Sequence, residues 1–481
     1  MRRGRRIVAA ALAAVLAAGG PLAASRPTTE SELGRRFFLE VREQLPLIDD
    51  PVVTGYVEGI GRRLVATLGA QQFDYHFYVV AHPSLNAFAV PGGYVFVFSG
   101  LLARAQNDDE LAGVMAHEIG HVAGHHILRQ QTEGQVWSVA ALLGALLSIV
   151  HPVLGAGAIA AAQTMQLKYS REFEQEADYL GLRYATEAGY DPHALGSFFK
   201  QLLAEQRLNP ANVPPYMLSH PVTETRVANV ETTIGAQKLG APAGRPAASP
   251  ELAEAQAVSE ATVDPPEVVI PKYRRRAEER PDDAVRQFLL GRVYQTVGQL
   301  EAARAALERC RELGGLGGRV DRPLGAVYVA LKQPARAREV LDRYLKRQPD
   351  DAWARLELGK ALADAGEEGP ALVEFQRALK LDDDLDEAHR LAGLALGRKG
   401  EQAEGFYQLA LASRARGDLE QAMSHFERSE ELLAPRSPRR AEVKQAIDEL
   451  EPMVRERRRE REERRRSERR GGTGGRLRGL P

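Results

Sequence analysis

His117 and His121 stand four residues apart in the run His117-Glu118-Ile119-Gly120-His121. On a helix, residues four apart lie on one face about one turn apart, so both imidazoles can reach a single metal ion. Glu118 is one step round from His117, where its carboxylate can hold a water and take its proton. That is the chemistry of a zinc-dependent hydrolase. Such a site takes three protein ligands and keeps a fourth position open. The best candidate for the third ligand is Glu174, in the run Ser170-Arg171-Glu172-Phe173-Glu174-Gln175-Glu176-Ala177-Asp178. Read as a helix, this run puts Glu174 and Asp178 on one face, so that one acid can bind the metal while the other holds a ligand histidine by its far nitrogen. Spacing alone leaves Glu172 and Glu176 open as alternatives.

The elements that must position these groups are visible beside them. Asn107-Asp108-Asp109-Glu110 is a helix-start cluster, and Leu111, Val114, Met115, Ile119 and Val122 follow at helical apolar spacing. The motif is therefore expected inside a largely buried helix. Tyr94-Val95-Phe96-Val97-Phe98 is β-rich and follows a Pro-Gly-Gly turn. His125 and His126 continue the motif helix and read as structural.

The two metal-site runs, with Ala188-Gly189-Tyr190-Asp191-Pro192 and Asn86-Ala87-Phe88-Ala89-Val90-Pro91-Gly92-Gly93, resemble the metallopeptidase family of the HtpX membrane protease and the CAAX prenyl protease. Within it they are most similar to the periplasmic BepA-type (β-barrel assembly-enhancing) branch with C-terminal repeats. The resemblance implies an α+β zincin-like (gluzincin) metalloprotease domain followed by an all-α tetratricopeptide (TPR) solenoid. It also implies one Zn2+ per chain on His117, His121 and Glu174, with Asp178 behind them and Glu118 as the general base. A strand placed like 94–98 lies at the edge of the cleft in such enzymes, so Val95, Phe96 and Val97 are expected to take up extended substrate by main-chain hydrogen bonds. The residues themselves fit an ordinary hairpin strand equally well. Ser219-His220-Pro221 with Arg226 matches a His-Pro motif whose histidine approaches the metal, as a switch or as a polariser of the transition state. By residue chemistry alone, His220 before a proline reads as a surface residue. His220 or Arg226 is the expected oxyanion stabiliser.

Arg2, Arg3, Arg5 and Arg6 precede an apolar run over 7–18 and small residues up to Ser25. This is a secretory signal (1–25), which places the chain in the periplasm. Cys310 is the only cysteine, so no intramolecular disulfide forms. The net charge of −1 supplies no field for nucleic acid. The apolar stretch over 136–162 is expected as a helical pair or lid; a membrane hairpin is the alternative, and each half is shorter than the roughly 20 residues of a span. Peripheral association with a membrane stays open.

The protease domain is expected over 26–235 and a Pro/Ala/Gly-rich linker over 236–275. Gly291, Gly325, Gly359 and Gly393 then recur at intervals of 34 residues, the TPR period. Ala303, Ala337 and Ala371 keep step, as do Leu307, Leu341 and Phe375. The repeats are expected over 276–435, with the register lost after Gly393. Cys310 falls at a small buried position, and its expected role is packing. The Arg/Glu-rich remainder, 436–481, reads as a flexible charged tail, with a frayed solvated helix over 455–470 as the alternative to disorder.

Two functions are consistent with these features. One is an envelope zinc endopeptidase whose repeats present unfolded or misassembled proteins; the resemblance implies outer-membrane precursors among the substrates and the assembly machinery as a partner of the repeats. The other is a TPR chaperone or adaptor for outer-membrane assembly with a latent, His220-plugged protease site.

Overall fold

A computed structural model of the chain describes residues 30–70, 73–132, 170–210, 213–240, 248–314 and 316–473. The signal (1–25) and the apolar stretch (136–162) lie outside the described residues. The chain divides into two units, one over 26–323 and one over 324–481. Among the described residues, no helix is long and apolar enough to cross a membrane.

The first unit is built on a three-stranded sheet of β1 (His76–Val80), β2 (Ala87–Val90) and β3 (Tyr94–Phe98), in the order β1-β3-β2. β1 runs parallel to β3, and β2 runs antiparallel to it. Strand alternation sends Val95 and Val97 into the main core with Val79, Ala87 and Ala89. Phe96 and Phe98 face the other way, under Phe37 and Val41 of the helix Glu30–Gln44. The expected edge role of Val95, Phe96 and Val97 is not met: β3 is the middle strand, hydrogen-bonded on both sides, and has no free ladder for a substrate. The cause is the distant pairing with β1, which no local pattern announces. Among the described residues both outer strands, β1 and β2, are edges; the far end of β1 is bridged by the segment before it (Leu47 with Val80), and β2 is the edge on the side of the motif helix.

The motif helix, Asp108–Ala123, begins where the sequence placed it, with the Asn107 side chain accepting from the Glu110 N–H at 2.9 Å. The acid-bearing helix, Arg171–Glu187, is capped by Ser170. These two helices touch backbone to backbone. A Cβ on Gly181 would lie 2.9 Å from the His117 nitrogen, and one on Gly120 would lie 3.0 Å from the Ala177 carbonyl oxygen.

Within 236–275, the described residues 248–275 are not a linker; residues 241–247 lie outside the described set. The helices here are Pro250–Val263 and Pro266–Glu279, and Leu252, Ala255 and Val258 are buried in the main core. Proline and glycine suggested a loop, but Ser249 is an N-cap and Pro250 a first-turn proline, and alanine favours the helix that follows. Ser249 also binds the Asp108 carboxylate through both its N–H (2.8 Å) and its hydroxyl (2.6 Å). The first repeat pair, Ala284–Thr296 and Leu300–Leu313, belongs to this unit as well. Its buried Arg292 reaches Asp50 at 2.8 Å and Glu254 at 2.9 Å. Cys310 packs inside the pair, and burial pushes its thiol up to about 12.

The second unit carries the later repeats. A Cβ on Gly325 would meet Leu341, and one on Gly359 would meet Phe375, as one on Gly291 meets Leu307 in the first. The register is not lost after Gly393. Leu409 stands where Leu341 and Phe375 stand, and Gly405 takes the place of the alanine, so Asp386–Lys399 and Gln402–Ala415 form a fourth pair. The substitution of glycine for alanine hid the continuation. The expected flexible tail is helical over Pro438–Thr473, with Arg457 donating to the Gly417 carbonyl at 3.1 Å; residues 474–481 lie outside the described set.

Candidate metal centre

The close crossing of the two helices brings the predicted residues together. His117, His121, Glu174 and His220 are all buried, and each offers a ligand atom within 4.8 Å of the others. The Nε2 atoms of His117 and His121 are 3.1 Å apart. Glu174 Oε2 lies 3.7 Å from His117 Nε2, and its Oε1 lies 3.5 Å from His121 Nε2. Each imidazole is held from behind: His117 Nδ1 is 3.0 Å from Asp178 Oδ1, and His121 Nδ1 is 2.9 Å from His126 Nδ1. Two Nε2 atoms and a carboxylate directed at one point, in a dry pocket, are the nitrogen and oxygen donors zinc takes.

Burial pushes the His121 imidazole well below its ordinary value, which leaves it neutral and able to donate a lone pair. Burial would raise Glu174, but His220, His121 and Arg226 outweigh it and hold the acid well below the carboxylate range. Glu118 differs. Burial pushes its carboxyl up against the opposing pull of His220 and His117, the direction a general base for neutral pH needs. A hydrogen bond from the Ala89 backbone reaches Glu118, so the open strand β2 lies beside the base.

His220 is a buried residue of the centre, as the resemblance implied and its residue chemistry did not. Its Nδ1 is 3.0 Å from Glu174 Oε1 and 3.4 Å from His117 Nε2, while its Nε2 is 3.5 Å from Glu118 Oε1. The ring stacks on Tyr216, with centroids 4.8 Å apart. Arg226 takes a different place from the one expected. Its Nε and Nη2 grip Asp178 at 2.9 and 2.7 Å, and its Nη1 reaches Glu174 at 2.5 Å and the Pro221 carbonyl at 3.1 Å. A guanidinium so engaged stands behind the acids rather than facing a substrate. His125 leaves the centre and binds Glu30 at 2.8 Å. Tyr216 is the residue the sequence reading missed, and it carried no signal. His126, read as structural on a continued motif helix, instead lies beyond the helix end at Ala123 and folds back onto His121.

The sequence matches the model of Peptidase family M48 over residues 51–234 and tetratricopeptide-repeat models over 286–313 and 319–361. The beta-barrel assembly-enhancing protease of Yersinia pestis is 30% identical over 439 residues, covering 82% of this chain and 86% of that protein. The chain belongs to peptidase family M48. The family is zinc-dependent, and the buried cluster of His117, His121, Glu174 and His220 is able to hold such an ion. The putative beta-barrel assembly-enhancing protease of Vibrio cholerae is 38% identical over 220 residues. That match covers 44% of this chain and 45% of the Vibrio protein, so there the likeness spans less than half of the relative's length. A mitochondrial metalloendopeptidase (OMA1) of Schizosaccharomyces pombe, 31% identical, matches over 37% of this M48 chain.

Proposed function

We propose that the chain is a zinc endopeptidase of the cell envelope that removes unfolded or misassembled proteins, outer-membrane β-barrel precursors among them. The observation that carries the reading is the pairing of two buried histidines and Glu174 with an adjacent buried acid, Glu118, whose proton affinity is raised. Zinc held by His117, His121 and Glu174 would polarise a peptide carbonyl and acidify a water. Glu118 takes the proton and returns it to the leaving amine. Asp178 keeps His117 in the tautomer that presents Nε2, and Arg226 keeps Asp178 and Glu174 ionised and in place. An extended peptide fits beside the open strand β2, next to Glu118. The name shared by the Vibrio and Yersinia relatives supports β-barrel precursors as substrates, and the repeats are the proposed reader of substrate or assembly partner. The signal reading supports the periplasm.

Cleavage of casein by the full chain tests the proposal. Glu118→Gln is expected to lower the rate by about 10³-fold while retaining zinc; cleavage at the wild-type rate would refute it. A second reading, a repeat-bearing chaperone with a latent protease, rests on the place of His220 among the ligands. A large gain of cleavage in His220→Ala would favour latency, and a loss would make His220 a participant.

A further inference from the structure

His117 and His121 are anchored differently. The first hands its Nδ1 to an acid, whereas the second hands its Nδ1 to another imidazole, that of His126, at 2.9 Å. Between two ring nitrogens, one must donate and the other accept. For His121 to offer the Nε2 lone pair to a metal, its proton must sit on Nδ1. His126 must then accept at Nδ1 and carry its own proton on Nε2. That Nε2 lies 3.3 Å from Glu176 Oε2, and the same oxygen lies 2.8 Å from Arg129 Nη1. A proton on His126 Nε2 faces that carboxylate, so the acid favours the same arrangement of protons along His121–His126–Glu176 that metal binding at His121 requires.

The surroundings are shaped for this ring. The motif helix ends at Ala123, His125 takes a left-handed φ of 51°, and the chain turns so that His126 folds back beneath the helix end. Gly124 has an ordinary helical backbone, yet a Cβ there would lie 2.4 Å from His126 Nε2, so its lack of a side chain is what admits the imidazole. Phe173 stacks on the ring with centroids 4.6 Å apart and planes 15° apart, and His126 is fully buried. Phe173 and Glu176 come from the same helix as Glu174 and Asp178.

We propose that His126 and Glu176 are positioning residues, a relay that fixes His121 in the tautomer and orientation that zinc requires. One helix then serves the metal three times: Glu174 as ligand, Asp178 behind His117, and Glu176 behind His121 with an imidazole as spacer. The inference rests on the zinc reading above, and the test separates the two. Zinc affinity of the full chain is measured by competition with a chromophoric chelator. A wild-type protein that binds no zinc would fail the zinc reading itself. His126→Phe keeps the ring stack and removes the acceptor, and is expected to weaken zinc binding about 10- to 100-fold. His126→Asn, whose amide oxygen can accept in place of Nδ1, is expected to stay within about threefold of the wild type. Long-range 15N–1H spectra are expected to show His121 protonated at Nδ1 in the wild type and in His126→Asn, and as a tautomer mixture in His126→Phe. Gly124→Ala, which expels the ring without altering it, is expected to act like His126→Phe and serves if that variant does not fold. Zinc affinity and His121 tautomer unchanged in His126→Phe or in Gly124→Ala would overturn the relay.

Discussion

Two kinds of helix crossing in this chain depend on a missing methyl group, and they spend the space differently. Where the motif helix meets Arg171–Glu187, the atoms nearest an added Cβ on Gly181 are the backbone nitrogen and Cα of His117. In the first three repeat pairs, the atoms nearest an added Cβ on Gly291, Gly325 or Gly359 belong to the side chain of Leu307, Leu341 or Phe375; in the fourth, one on Gly393 meets the Gly405 carbonyl oxygen at 2.8 Å. A backbone contact has little to give, so the first crossing sets how closely the metal-binding helices can approach. A side-chain contact can rotate or slide, so the second tolerates change at the cost of some stability. One crossing is a gauge for chemistry; the other is a joint repeated for reach.

The sharpest way to break that contrast is Gly181→Ala. The new Cβ must push the His117 backbone away, and we expect zinc affinity to fall about 100-fold, with casein cleavage lost, as read by chelator competition and turnover. Wild-type zinc binding in this variant would remove the distinction. Arg226→Gln comes next. It leaves Glu174 and Asp178 buried without their cation, and we expect a loss of about 3 kcal/mol in stability with weaker zinc binding, measured by denaturant titration. Gly359→Ala should cost about 1–3 kcal/mol in the unfolding of the repeats, seen by circular dichroism, with cleavage of a short peptide unchanged. A fall in zinc binding there would mean that the two crossings are not independent.

The smallest effect concerns Asp50. Burial raises its carboxyl, but Arg292 outweighs burial, so the folded value lies below the ordinary 3.8. A depressed value adds stability that is complete above the unfolded value and disappears as pH falls through the folded one. Asp50→Asn is therefore expected to be less stable than the wild type at pH 7, by about 1 kcal/mol, and the gap should close below pH 3.8. An equal gap at both pH values would show that the carboxylate charge contributes nothing.

The parts of the centre that follow helical spacing were legible in the chain. His117 with His121, and Glu174 with Asp178, are four apart, and that separation alone places each pair on one face. The choice of Glu174 over Glu172 and Glu176 needed the family likeness, since all three are acids within one turn. The 34-residue period was legible because each repeat is a local unit, and its continuation past Gly393 was hidden by a glycine standing for alanine. What depends on distant pairing was not legible. The place of Tyr94–Phe98 in the middle of the sheet depends on His76–Val80, and the role of His126 depends on a turn at His125 that no residue type demands. The helix Pro250–Val263 was legible in principle, through Ser249 and Pro250, but a tally of proline and glycine obscured it.

Asp108 is the first residue of the helix that carries the histidines, and its carboxylate is held by Ser249, 141 residues later in the chain. The same downstream helix reaches Arg292 through Glu254. The metal-binding helix is thus made early and braced late: a growing chain has all its donor residues up to His220 before it has the segment that pins the helix start. Truncation just after the peptidase core would leave Asp108 with the Tyr56 hydroxyl alone and bare the core surface that Leu252, Ala255 and Val258 cover. The first repeat therefore packs as part of the same compact unit as the metal-binding helices.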